Sequence, residues 1–115
     1  MRAAVIREFG GPEVLRVEEV ADPDLVAGEA IVRVEAVTVN RSLDLLVRRD
    51  GTSRGVRLPH VPGVDPVGTI VAVGEDVDGY VVGERVAVIP NIRCGACSFC
   101  RSGEESRCSD SRHIG

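Results

Sequence analysis

Aromatic residues are scarce in this chain: it has no tryptophan, one tyrosine and two phenylalanines, 3% of 115 residues. A core has to be assembled from Val, Ile, Leu and Ala, and β-branched side chains suit a pleated, half-buried strand. Basic residues are outnumbered by acidic ones, 14 against 18, for a net charge of -4 and an isoelectric point near 5.2. Without a basic stripe interleaved with aromatics, the electrostatic footprint of nucleic-acid binding is missing, which excludes DNA and RNA as main partners. Long apolar runs are missing as well. The N-terminal "MRAAVIREFGG" offers only Ala3 to Ile6 between Arg2 and Arg7, too short for a signal peptide or a membrane span. The cytoplasm is the expected compartment, and there closely spaced cysteines serve metal or redox chemistry more often than disulfides.

Two further absences bear on chemistry. No GxGxxG follows a strand, and the glycines of "VGTIVAVGEDVDG" lie between strands rather than opening a helix, so these residues contain no dinucleotide site. Histidine occurs only at positions 60 and 113. What is present is ordinary globular material, 43% hydrophobic and 28% charged, in a chain long enough for one domain that buries about two-thirds of its unfolded surface.

Short apolar runs at Ala3 to Arg7, Leu15 to Val20, Ile31 to Val39, Val67 to Val73 and Arg85 to Ile89 are punctuated by "GGP", "ADPD", "AGE", "PGVDP" and "VGED". In "IVRVEAVTV", Val32, Val34 and Ala36 share one face and Arg33 and Glu35 the other, the alternation of a half-buried strand. Many short strands with Gly and Pro turns predict a small β-barrel or sandwich. One segment differs: "NRSLDLLVRRDG" places Leu43, Leu46 and Val47 at i, i+3 and i+4, with Asn40 or Ser42 as cap and Gly51 as stop. It predicts a short helix over 42–49.

"CGACSFCRSGEESRC" holds all four cysteines, at 94, 97, 100 and 108. Four thiolates in closely spaced turns are the donor set of a closed tetrahedral zinc site, and Gly95 and Gly103 permit tight turns. Such a site adds two negative charges to the chain, and Arg93, Arg101, Arg107 and Arg112 lie near enough in sequence to offset part of them. The rivals are an iron–sulfur cluster, two disulfides and free thiols. The common bacterial iron–sulfur run closes after three residues and continues with Pro, whereas here seven residues intervene and Ser109 follows. Having few apolar residues, the segment over 91–110 needs something other than burial to organise it.

The glycines at 63, 68, 74, 79 and 83 in "PGVDPVGTIVAVGEDVDGYVVGERVAV", followed by the four-cysteine segment, resemble the N-terminal half of the medium-chain zinc-type dehydrogenases/reductases. The resemblance runs over essentially the whole chain. It implies a mainly β fold: a GroES-like, partly open β-barrel with a short helix and a four-cysteine lobe carrying one structural zinc on Cys94, Cys97, Cys100 and Cys108. It also implies that residues 1–115 are the substrate-side domain, with NAD(P)H bound by a Rossmann domain outside this chain. A small-molecule substrate and a homo-oligomer at full length follow from the same resemblance.

The departures are informative. Where zinc alcohol dehydrogenases of this family have Gly-His-Glu, this chain has Gly63-Val64-Asp65, and valine cannot ligate a metal. The family's other early ligand, a cysteine, falls on Arg41 or on Asn40 in "VNRSLD". A catalytic zinc keeps three protein ligands, yet the cysteines are already committed and two histidines remain. The pattern looks more like the quinone and enone reductase branch, in which hydride is delivered without a catalytic metal. Asn40, Asp44 and Asp65 are the candidate cleft residues, with Arg41 a candidate for a cofactor phosphate and Ser42 for a proton relay. Each also has a plainer role: Asn40 and Ser42 as caps, Asp44 supporting the first helical turn, Asp65 in its turn, Arg41 solvated. His60 lines a pocket or packs on the barrel edge, and His113 has no identifiable partner. An alcohol dehydrogenase with an atypical site, a non-enzymatic zinc-binding barrel resembling a co-chaperonin, and a small iron-bearing electron carrier are the competing functions.

Overall fold

The computed structural model describes residues 1–51 and 55–114. Strand β1 (Arg2–Ile6) pairs antiparallel with β2 (Leu15–Glu19), setting Arg2 opposite Glu19 and Ile6 opposite Leu15. A 3-10 turn at Pro12–Val14 leads into β2, and Pro at the first position suits it because its missing N–H has no partner to lose. Beyond this hairpin, the backbone of Ile6 exchanges two 2.9 Å hydrogen bonds with that of His60. Ile6 is thereby shut from solvent (0% exposed) and packs with Val14 and Val47, against which Phe9, Leu43, Val56 and Leu58 are laid. Burying Ile6 alone is worth about 2–3 kcal/mol.

The second sheet is antiparallel in the order β3-β4-β5, from β3 (Ala30–Val37), β4 (Pro66–Val73) and β5 (Arg85–Ala87). Its register shifts between Ile31 and Val32 and again between Val34 and Ala36. Gly68 stands opposite Val34, and a Cβ on it would run into the Arg33 carbonyl. The close approach of the irregular strand therefore requires glycine there. The expected alternation is altered by these bulges. Ile31 and Val32 are half-buried, but Val34 is 54% exposed and Ala36 also faces solvent. Both flanking strands end earlier than the sequence predicted, at Val37 rather than Val39 and at Ala87 rather than Ile89. The reason is Pro66, which begins β4 and has no N–H for the ladder; its carbonyl still accepts from Val88.

Helix α1 (Leu43–Asp50) lies within a residue of expectation. The cysteine-rich segment opens with β6 (Asn91–Ile92), carries a four-residue helix α2 (Ser98–Arg101) that no periodicity announced, and passes through a 3-10 turn at Glu105–Arg107. It returns as β7 (Arg112–His113), antiparallel to β6. The architecture is thus mainly β with two helices, and among the described residues the strands form three open sheets rather than a closed barrel. No described helix is long and apolar enough to cross a membrane.

The surface is larger than a self-sufficient domain would present. It measures 8136 Å² for a 12.2 kDa chain, against about 6,100 Å² expected from the usual size scaling. The radius of gyration is 15.3 Å, against about 13 Å for a compact domain of this length. Val37, Val39, Val81, Val82 and Ile89 contribute to the excess, each more than half exposed.

Candidate functional site

Two places gather chemistry-bearing residues. The first is the cysteine lobe, where the Sγ atoms of Cys94, Cys97, Cys100 and Cys108 all lie within 4.8 Å of one another. Four sulfurs around one ion at a Zn–S distance of about 2.3 Å would stand about 3.8 Å apart. The Cys94–Cys100 and Cys94–Cys108 separations are 3.9 and 3.6 Å. All four are free thiols, with no disulfide among them, so the donor set and its spacing fit a single tetrahedral metal.

The backbone explains why they meet. The Cys97 N–H points at Cys94 Sγ (3.4 Å) and the Cys100 N–H at Cys97 Sγ (3.5 Å), so each CxxC step turns back on its own sulfur. Gly95 and Gly103 occupy the left-handed region at φ +68 and +80, as anticipated for the tight turns. Cys97 also caps α2. The arginines knit the lobe by other means: Arg93 donates to the Glu105 carbonyl at 2.8 Å, and Arg107 pairs with Glu104 at 2.6 Å while lying 4.3 Å above the Phe99 ring. The inward N–H of Cys100 draws the Cys97 thiol down to about 6, whereas desolvation and its sulfur neighbours push Cys100 up to about 12. The Cys94 backbone holds Cys108 below the ordinary thiol range. Thiolates this close together repel one another, and a cation bound among them would compensate their charge.

The second place is the junction of "VNRSLD" with "PGVDP". Antiparallel pairing of Val37 with Pro66 sets the two segments side by side, and the Thr38 hydroxyl donates to Asp65 Oδ2 at 3.3 Å. Asp65 is therefore tied to the neighbouring strand end, a partner the sequence did not suggest. Val64 is almost completely buried, 2% exposed. Asn40 and Asp44 form a reciprocal cap: Asn40 Oδ1 accepts from the Leu43 N–H at 2.9 Å, and Asp44 Oδ2 accepts from the Asn40 N–H at 2.7 Å. Ser42, the other candidate cap, makes no side-chain capping bond. Arg41 is exposed. The remaining oxygen of Asp44 is buried and has no hydrogen-bond partner among the described residues, an orphan acceptor of the kind that a ligand, a water or a neighbouring unit satisfies.

Beside this junction, α1 floors a cavity of about 380 Å³ with Val47, and Val56, Arg57, His60, Arg112 and His113 line it further. The sequence reading missed Arg57 and the convergence of the two histidines. No local pattern reports it, because residues 112–113 reach the cavity only through the pairing of β7 with β6.

Comparison with known proteins agrees with these features. Residues 26–115 match the family described as the alcohol dehydrogenase GroES-like domain. A quinone oxidoreductase of Lama guanicoe is 36% identical over 107 residues, 92% of this chain and 32% of the relative. An alcohol dehydrogenase of Geobacillus stearothermophilus is 38% identical over 117 residues, covering 100% of this chain and 34% of its own length. Among solved structures, an NAD-dependent alcohol dehydrogenase superposes with a TM-score of 0.91 at 40% identity, over 100% of this chain and 33% of that one. The chain thus spans about a third of the length of the relatives it matches. With the β architecture, the clustered thiols and a family match over most of its residues, the chain belongs to the alcohol dehydrogenase GroES-like domain family, within the medium-chain dehydrogenases/reductases.

Proposed function

We propose that this chain is the substrate-side domain of an NAD(P)H-dependent oxidoreductase that keeps the family's structural zinc and has lost the catalytic one, reducing quinone, enone or carbonyl substrates. The observation that carries the reading is Val64. It stands where the family's zinc-dependent members have a histidine ligand, and it is packed as core at 2% exposure. Neither Asn40 nor Arg41 restores a cysteine to the other ligand position, and the side-chain oxygens of Asn40 and Asp44 are spent in part on the helix cap. The matched quinone oxidoreductase and alcohol dehydrogenase, each about three times as long, support an oxidoreductase made of this domain and a further one. The excess surface of about 2,000 Å² supports the same reading, since it more than covers the roughly 800 Å² that one partner contributes to a standard stable interface.

In this reading Cys94, Cys97, Cys100 and Cys108 hold the structural zinc, which is closed to substrate and takes no part in the reaction. A reducing compartment such as the cytoplasm keeps these thiols available. The dinucleotide, bound mainly by the remainder of the protein, supplies hydride. The residues of this chain position the acceptor: the Asn40–Asp44 cap fixes the start of α1, Asp65 is held by Thr38 at the cleft edge, and buried Val64 keeps water from the junction. Arg41, exposed at the start of α1, is the candidate for a cofactor phosphate.

The test is to purify the full-length protein, measure its metal content and assay NADPH oxidation against quinones, enones and aldehydes, and NAD(P)⁺ reduction against alcohols. One zinc per subunit with reduction of the first group is expected. Two zincs per subunit, with alcohol oxidation that chelation abolishes, would overturn the reading in favour of a metal-dependent alcohol dehydrogenase.

A further inference from the structure

The two histidines of the sequence, far apart in the chain, line one cavity together with Arg57 and Arg112. Among the described residues no lining residue is acidic, although the chain as a whole carries -4. Among the described residues, neither Arg57 nor Arg112 takes part in an ion pair. Both side chains project from anchored backbone. Arg112 sits in β7 opposite Ile92, and Arg57 is three residues before His60, whose peptide is bonded on both sides to Ile6. Leu43, Val47 and Val56 give the same cavity its apolar lining. A cavity of about 380 Å³, mostly apolar with a few convergent polar groups, has the size and composition of a small-molecule site.

Guanidinium groups present planar donor forks that match carboxylate and phosphate oxygens, so they select an oxyanion over a neutral group. We propose that this cavity binds the carboxylate or phosphate of a small amphiphilic substrate, with Arg57 and Arg112 holding the oxyanion and Leu43, Val47 and Val56 receiving the carbon skeleton. The assignment rests on reading the chain as the substrate side of an oxidoreductase, because it is the substrate that would carry the anion. α1 supplies both the cavity floor and the capped turn at the cleft, so a ligand anchored here lies alongside the candidate site.

Binding can be measured without turnover. Inorganic phosphate, butyrate and 1-butanol are titrated into the zinc-loaded full-length protein and followed through amide chemical shifts. Saturable shifts over residues 55–60 and 111–113 are expected with phosphate, butyrate or both, the stronger of the two naming the anion, and none with 1-butanol. Arg57→Gln and Arg112→Gln should each weaken anion binding about tenfold, the usual worth of a charge-assisted hydrogen bond. Arg33→Gln, on β3 outside the cavity, should leave it unchanged. Because Arg57 and Arg112 are exposed, both variants should retain the parent spectrum elsewhere. Absence of saturation with either anion, or equal affinity in the arginine variants, overturns the proposal. Anion binding that survives in a protein without oxidoreductase activity overturns only the functional reading on which it rests. Activity on neutral substrates without anion binding overturns only the oxyanion assignment.

Discussion

Replacing Asn40 with alanine separates a capping role from a chemical one. In the structure Asn40 Oδ1 accepts the otherwise unpaired Leu43 N–H at 2.9 Å, while its own N–H is taken by Asp44 Oδ2 at 2.7 Å. Loss of a side-chain cap costs about 1 kcal/mol, which for a domain of this size lowers Tm by about 4–5 °C. Asp44→Ala should cost a similar amount by orphaning the Asn40 N–H. Because both act on the same helical turn, the double variant should lose less than the two single losses combined, with a coupling of about 0.5 kcal/mol or more. Asn40→Ser retains a short acceptor and should recover most of the stability. Thermal melts of the zinc-loaded chain read this directly, and kcat of the full-length protein is measured in parallel. If Asn40→Ala melts like the parent while kcat collapses, and Asn40→Ser fails to restore it, then Asn40 acts on the substrate and the capping argument is wrong.

Chelation of zinc should loosen residues 91–110 while the β1–β2 hairpin and the β3-β4-β5 sheet keep their amide protection, because in the lobe only Cys108 is buried and metal binding is coupled to local folding. Uniform loss of protection across the chain would contradict this. The four thiols, held together in the zinc-loaded lobe, should be alkylated by iodoacetamide only after chelation, since the free thiolate is the nucleophile. Peptide mapping over residues 94–108 reads this, and equal labelling before and after chelation would contradict it. Gly68→Ala should destabilise the β3–β4 pair by about 2 kcal/mol or more, because its Cβ would meet the Arg33 carbonyl, a backbone atom that cannot step aside. Denaturant titration measures this, and an unchanged midpoint would mean that the bulge relaxes freely.

The cysteine lobe was the most legible part of the chain. Metal-ligand spacing is local: two CxxC steps with glycines able to reach positive φ bring the first three sulfurs together almost irrespective of the rest of the fold. The helix at 43–50 was legible for a similar reason, since its apolar spacing and its cap lie within a dozen residues. The β3 alternation was legible only in part. Where the bulges fall depends on which strand pairs with β3 and on Gly68 standing opposite Val34, and neither is written in the local pattern of "IVRVEAVTV". The cap partner was also left open, because Asn40 and Ser42 are both good capping residues and only the packed chain selects one.

By itself, the sequence determined the β character, the four-thiolate donor set and the absence of a histidine at position 64, because these depend on residue identity and short-range spacing. Tertiary structure alone decided that Val64 is core, that Asp65 is held by Thr38, and that His60 and His113 line one cavity with Arg57 and Arg112. Those features arise from three long-range pairings, Val37 with Pro66, Ile6 with His60 and β6 with β7. Such contacts join residues far apart in sequence, so they are a property of the whole chain rather than of any stretch of it.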